Sequence, residues 1–228
     1  MAIFAISDLH LSLNTDKPMD IFGGWDNYVE KIEKNWKKIV SPTDTVVIPG
    51  DISWEIKLEN TVKDFAFINS LPGEKVILKG NHDLWWSTRR KLEQFFEQNG
   101  FDTLKIVYND CYRVGNYAVC GSRGWFYDSD EDDKVIAREV GRIVSSVNSA
   151  KAQGLTHIFF LHYPPVFRGE VCRPIFDAVK ELGITTVYYG HIHGKGKNFT
   201  VSEFEGVRLK LLSSDCVDFT PQLVLKNP

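Results

Sequence analysis

Five short apolar runs in this chain each end at a polar cluster, and that recurrence limits the fold more than any other feature. Ala2-Ile3-Phe4-Ala5-Ile6 empties into Ser7-Asp8-Leu9-His10, and Thr45-Val46-Val47-Ile48 into Pro49-Gly50-Asp51. Val76-Ile77-Leu78 leads to Gly80-Asn81-His82-Asp83. Ile158-Phe159-Phe160-Leu161 ends at His162-Tyr163-Pro164-Pro165, and Thr185-Thr186-Val187-Tyr188-Tyr189 at Gly190-His191-Ile192-His193. A short continuous apolar run bounded by turn residues reads as a strand covered on both faces. In open α/β sheets, ligands bind beyond the carboxyl ends of the strands, so these clusters can converge on one site.

Helical spacing fills the gaps between the runs. Asp26 is a candidate N-cap for a helix with Val29, Ile32, Trp36, Ile39 and Val40 on one face, closed by Pro42. Leu58, Val62, Phe65, Ala66 and Ile68 predict a second helix before Pro72. A third begins near Ser87, carries Leu92, Phe95 and Phe96, and stops at Gly100. Two more are expected over 134–153 and 175–182, the first preceded by an acidic run, 128–133. Strands at 104–108, 111–114 and 117–120, the last two joined by Gly115-Asn116, add a hairpin. The tail over 199–204, 207–212 and 223–225 reads as antiparallel strands. This alternation predicts a mixed α/β fold. At 228 residues and 26.0 kDa, a single domain spanning 1–228 is expected.

Composition removes several function classes. Lys+Arg number 27 against 30 Asp+Glu, a net charge of −3, so no basic face for nucleic acid is implied. Cys111, Cys120, Cys172 and Cys216 form no CxxC pair and read as free thiols in a reducing compartment. The start MAIFAISDLHLS has no basic n-region, and no run is long enough to span a membrane. A cytoplasmic protein with no membrane partner is the expectation.

Five of the six histidines lie in the strand-end clusters; the sixth, His157, precedes its strand and reads as an ordinary edge residue. A folded loop or core absorbs any one such histidine without a function. The patterns are harder to absorb. Gly-Asn-His followed by an acid is expected about 0.003 times in a random chain of this composition, and Gly-His-x-His about 0.01 times. Carboxylates, imidazoles and an amide oxygen together form a hard-to-borderline ligand set that suits Mn, Fe, Zn or Co.

The ordered set Asp8-x-His10, Gly50-Asp51, Gly80-Asn81-His82-Asp83, His162 and Gly190-His191-x-His193 resembles the calcineurin-like metallophosphoesterase superfamily. The resemblance implies a β-sandwich of two mixed sheets flanked by helices, a four-layer αββα fold. It places Asp8, His10 and His193 on one metal and Asn81, His162 and His191 on a second, with Asp51 bridging. Two such dications offset only by Asp8 and Asp51 leave about +2, which attracts phosphate. The implied reaction is hydrolysis of a phosphate ester by a metal-bridging hydroxide, with His82 as general acid. Asp83 has no role assigned by the resemblance.

Departures from the family's patterns narrow the substrate. Ser/Thr protein phosphatases extend Gly-Asp into Gly-Asp-x-Val-Asp-Arg-Gly, whereas this chain reads Gly50-Asp51-Ile52-Ser53-Trp54. Ser7-Asp8-Leu9-His10-Leu11-Ser12 is similar to bacterial lipid-precursor pyrophosphatases, which typically carry Arg where His82 stands. The segments at His162 and His191 are more similar to small bacterial phosphodiesterases. A small-molecule or nucleotide phosphodiester is therefore expected ahead of a monoester. Trp54, for stacking, and Arg123, in Gly121-Ser122-Arg123-Gly124-Trp125, are the expected substrate contacts besides Asn81. The rival class is a scaffold on the same fold that binds a partner and has lost catalysis.

Overall fold

Side-chain alternation along the apolar runs sets the layers. The computed structural model describes residues 1–126 and 132–228. In chain order its elements are β1 (Ala2–Ala5), α1 (Tyr28–Ile39), β2 (Thr45–Pro49), α2 (Val62–Ser70), β3 (Glu74–Leu78), α3 (Arg89–Gln98), β4 (Leu104–Ile106), β5 (Cys111–Val114) and β6 (Tyr117–Ser122). There follow α4 (Asp132–Ala152), β7 (Thr156–Leu161), β8 (Val166–Phe167), β9 (Glu170–Val171), α5 (Arg173–Glu181), β10 (Thr186–Tyr189), β11 (Glu203–Phe204), β12 (Val207–Leu211) and β13 (Gln222–Lys226). One large sheet has the order β13-β1-β2-β3-β4 and the other β11-β12-β10-β7-β6-β5, while β8 and β9 form a small two-stranded sheet of their own. Interior pairings are parallel, and β13, β5 and β11 add antiparallel edges.

Successive residues of a strand face opposite sides, so each central strand feeds two cores. Ile3, Ala5, Val47, Val76, Leu78, Val119, Phe160 and Tyr188 meet between the sheets. Their neighbours Val46, Ile48 and Ile77 pack with Trp36, Phe65 and Leu92 of α1, α2 and α3. Cys120, Phe159, Leu161, Val187 and Tyr189 pack with Ile143, Val147, Phe176 and Val179 of α4 and α5. Each fully buried large apolar side chain contributes roughly 1.5–3 kcal/mol. The outcome is two large mixed sheets flanked by helices, as the resemblance implied.

The sheets are stitched where the parallel strands end. The Ser7 N–H donates to the Leu212 carbonyl at 2.9 Å, and the Ser214 N–H to the Ser7 carbonyl at 3.0 Å. The carboxyl ends of β1, β2, β3, β7, β10 and β12 thereby share one edge.

Some local expectations are corrected. α1 starts at Tyr28, because Asn27 before it has φ 52° and Asp26 lies outside the helix. Residues 199–204 do not form one strand: a short 3-10 turn runs Gly194–Phe199, and only Glu203–Phe204 pairs. β12 runs parallel to β10, so the tail is not wholly antiparallel; alternation reveals a strand but not its direction. Of the acidic run, 128–131 lie outside the described residues, and α4 opens at Asp132.

Candidate metal centre

Each polar cluster begins where ladder hydrogen bonding stops, and at three of the five the backbone is strained. Asp8, His10, Asp51 and His191 have φ of 59°, 45°, 52° and 69°. A left-handed conformation costs a residue with a side chain roughly 1–2 kcal/mol, and such strain concentrates at functional sites. The glycines beside the motifs answer to close approach. A Cβ on Gly80 would overlap the Asp51 backbone nitrogen and carboxylate, and one on Gly190 would overlap Ser7 Oγ and Asp8 Oδ2.

The side chains gather into two groups, Asp8/His10/His193 and Asp51/His162/His191, with ligand atoms within 4.8 Å of one another in each. In the first, His193 Nε2 lies 3.2 Å from His10 Nε2 and 3.2 Å from Asp8 Oδ1. In the second, Asn81 Oδ1 lies 2.6 Å from His162 Nε2 and 2.9 Å from His191 Nδ1. Asp51 Oδ2 stands between the groups, 3.4 Å from His162 Nε2 and 3.8 Å from His10 Nε2.

These contacts fit a cation. The His162 Nδ1–H donates to the Pro49 carbonyl at 3.1 Å, so its Nε2 points at the Asn81 oxygen. The His193 Nδ1–H donates to Asp215 Oδ1 at 2.7 Å, and its Nε2 likewise faces Asp8 and His10. Acceptors aimed at acceptors at such distances need a proton or a metal ion between them. A partner on the far ring nitrogen is the usual way a metal-binding histidine is oriented.

Carboxylates outside the two groups hold the loops. Asp83, fully buried, accepts N–H bonds from Gly80 at 2.7 Å, Asp51 at 2.9 Å and Ile52 at 2.8 Å. It thus ties the β2 loop to the β3 loop, the role missing from the sequence reading. Ser213 Oγ donates to Asp8 Oδ2 at 3.0 Å, and the His191 N–H to both oxygens of Asp8 at 3.0 Å. Ser213 and Asp215 escaped sequence analysis. They follow β12, and reading that strand as parallel would have flagged its end like the other five.

Charges in the pocket are tightly coupled. Burial raises the Asp8 carboxyl, but His193, His162 and His10 outweigh it and hold it well below the usual carboxylate range. Burial lowers His162 and His193, but Asp51 and Asp8 respectively overcome this, lifting them to about 9 and about 10. Burial dominates at His10 and His191, both pushed down to about 4.

The other expected residues divide. Trp54 stacks on His10, centroids 4.9 Å apart at 22°, and leans on His82 at 4.4 Å. The His82 backbone N–H donates to Asp51 Oδ1 at 2.8 Å, and its ring lies 5.6 Å from that of His10. Arg123 holds the site through its backbone: its carbonyl accepts the N–H groups of His162 at 3.1 Å and Tyr163 at 2.9 Å. Its side chain lies over Trp125 and lines a separate cavity with Lys79 and Arg142. Trp25, not singled out by the sequence, packs edge-on against His10 and His193. Among the described residues, no helix is long and apolar enough to cross a membrane.

A family model for calcineurin-like phosphoesterases matches residues 1–195. No curated protein matches the sequence. Solved structures share the fold at low identity. A phosphopantetheinyl hydrolase from Mycobacterium tuberculosis is 14% identical with a TM-score of 0.54, over 100% of this chain and 96% of its own. A protein of unknown function from Aquifex aeolicus is 15% identical with a TM-score of 0.54, over 97% and 95%. A Thermus thermophilus protein is 12% identical with a TM-score of 0.59, over 98% and 97%.

Proposed function

The chain belongs to the calcineurin-like phosphoesterase family, and from that premise we propose that it hydrolyses phosphate esters at a two-metal centre, with small-molecule or nucleotide phosphodiesters ahead of monoesters. The observation that carries this is Asp51 Oδ2 standing between two groups of acceptors, within 3.8 Å of a histidine in each. Asp8, His10 and His193 would hold one cation, Asn81, His162 and His191 the other, and Asp51 both. When bound, two divalent cations supply electrophilic activation of the phosphoryl oxygens and a nucleophilic water at neutral pH.

The rest falls to the chain's own residues. Burial and the fixed ring tautomers keep His162 and His193 aimed inward, so little reorganisation accompanies the reaction. Water adds its oxygen to phosphorus as the ester P–O bond breaks. His82 gives a ring proton to the departing ester oxygen and recovers one from solvent. Trp54 covers His10 and one side of His82, which limits the directions from which water reaches that proton. The amide of Asn81 also serves as a contact for a phosphoryl oxygen.

The test is metal analysis of the purified chain, with nitrophenyl phosphate and bis(nitrophenyl) phosphate assayed in Mn²⁺. The reading expects bound metal and turnover of both esters, the diester faster. Because a structural neighbour is named a phosphopantetheinyl hydrolase, phosphopantetheine esters belong on the wider substrate panel. Absence of both metal and turnover would move the chain to the scaffold class.

A further inference from the structure

Beside the centre, between the ends of β3 and β6 and the flank of α4, lies a cavity of about 200 Å³. Lys79, Arg123 and Arg142 line it with Glu139, Trp86 and Tyr108. Three cations thus face one carboxylate, and that carboxylate is already engaged. Glu139 is fully buried and accepts from Ser122 Oγ at 2.5 Å, from the Gly124 N–H at 3.2 Å and from the Arg142 guanidinium. Lys79 and Arg123 have no side-chain hydrogen bond or ion pair among the described residues, and Arg123 Nε is buried without a partner. The Arg123 guanidinium lies 4.5 Å over the Trp125 ring, which occupies its face and leaves its in-plane N–H groups without a hydrogen-bond partner among the described residues.

Holding Lys79 and Arg123 together half-buried, with no ion-pair partner among the described residues, is costly, and a phosphate or carboxylate matches the in-plane donors of a guanidinium. The cavity is smaller than the roughly 300–1,000 Å³ of a drug-sized site, so it suits a substituent rather than a whole ligand. It also shares backbone with the centre. Lys79 stands two residues before Asn81, a reach of roughly 7 Å, and the Arg123 carbonyl anchors His162.

We propose that the Lys79/Arg123/Arg142 cavity is an anion subsite that takes a second phosphate or carboxylate of the same substrate. The substrate class is thereby a doubly anionic phosphate ester, with one group at the metal centre and the other in this cavity. The assignment to substrate rests on the phosphoesterase reading; the anion site itself does not.

Inorganic phosphate is titrated calorimetrically into the full chain, both chelated and Mn²⁺-loaded. Lys79→Gln and Arg123→Gln, which keep much of the side-chain bulk, are compared with the wild type. Chelated wild type should bind one phosphate, weakened at least tenfold in either variant, and the loaded protein two. No binding by the chelated wild type, or binding by both variants as tight as that of the wild type, overturns the site. Nitrophenyl diesters with and without a second phosphate then separate substrate from free anion. The wild type should prefer the doubly anionic ester in kcat/KM, and Lys79→Gln should lose at least tenfold of that preference. An unchanged preference beside lost phosphate binding overturns the substrate assignment and leaves a free-anion site. If neither ester turns over, the phosphoesterase reading fails, while the phosphate titration still decides the cavity.

Discussion

His193 Nδ1 lies 2.7 Å from Asp215 Oδ1, while its Nε2 lies 3.2 Å from Asp8 Oδ1. One imidazole therefore connects the turn after β12 to the centre, and Asp215 Oδ2 fixes the same loop by accepting the Gly194 N–H at 2.7 Å. Asp215 lies beyond the segment matched by the family, residues 1–195. Asp215→Asn keeps the shape and removes the charge that orients the ring. Loss of such an outer partner costs about 10–100-fold in metal affinity. That loss should fall on the Asp8/His10/His193 site alone, so a Mn²⁺ titration should show one weakened and one unchanged equivalent. Equal weakening of both equivalents would contradict this.

His82 makes its fixed contacts through its N–H to Asp51 and its ring against Trp54. If it protonates the leaving oxygen, His82→Asn should slow esters of poorly leaving alcohols by about 10²–10⁴-fold. Nitrophenyl esters, whose leaving group needs no proton, should be slowed far less. The check is the slope of log kcat against leaving-group pKa, which should steepen in the variant. Parallel slopes for variant and wild type count against the acid role.

The layers and most of the centre were legible because each apolar run carries its own evidence. Buried parallel strands need unbroken hydrophobicity, and the residue after the strand is where that need ends, so Asp8, Asp51, Asn81, His162 and His191 stand out from their surroundings. Asp215 does not. It sits in a one-turn 3-10 helix, Ser214–Val217, with no motif, and its partner is 22 residues away. Asp83 was visible as a residue but not as a contact, since its work is to accept backbone N–H groups from a loop about thirty positions earlier. Arg123 was noticed for its glycine neighbours, yet its side chain belongs to the cavity beside Lys79, a pairing made by two different sheets.

The pH dependence of the metal-free chain follows from two imidazoles. His162 and His193, lifted by Asp51 and Asp8 to about 9 and about 10, keep protons that the unfolded chain releases near 6.5. The folded state then binds more protons, so stability is lost as pH rises, by up to about 1.4 kcal/mol per unit for each imidazole. Asp83, raised by burial to about 7, adds the same sign at the lower end of the window. Lys75, lowered by burial to about 8, acts oppositely above that value, so the window is 6.5–8. Metal binding needs those imidazole nitrogens free, so affinity rises across the same window. The gap in Tm between Mn²⁺-loaded and chelated protein should widen from pH 6.5 to 8. Calorimetry in two buffers should detect up to two protons released per chain. A gap that narrows, or loading without proton release, would count against these assignments.

Lys75 is fully buried at the second position of β3, between Glu74 and the apolar run Val76-Ile77-Leu78. Its ammonium donates to the carbonyls of Leu71 at 2.7 Å and Gly73 at 2.8 Å, with Asn69 at 3.4 Å. These carbonyls lie at and beyond the end of α2, where the helix dipole favours a positive charge. The lysine thus fastens the α2 terminus to β3, the strand that delivers Asn81 and His82. Lys75→Met keeps the length and the apolar stem but leaves the carbonyls without their donor. At about 1–3 kcal/mol for each of the two closely bonded carbonyls stripped of its partner, the loss should be about 2–6 kcal/mol. Urea unfolding should show this as a lower midpoint with an unchanged slope. A midpoint equal to that of the wild type would mean that solvent satisfies those carbonyls and that α2 does not depend on the ammonium.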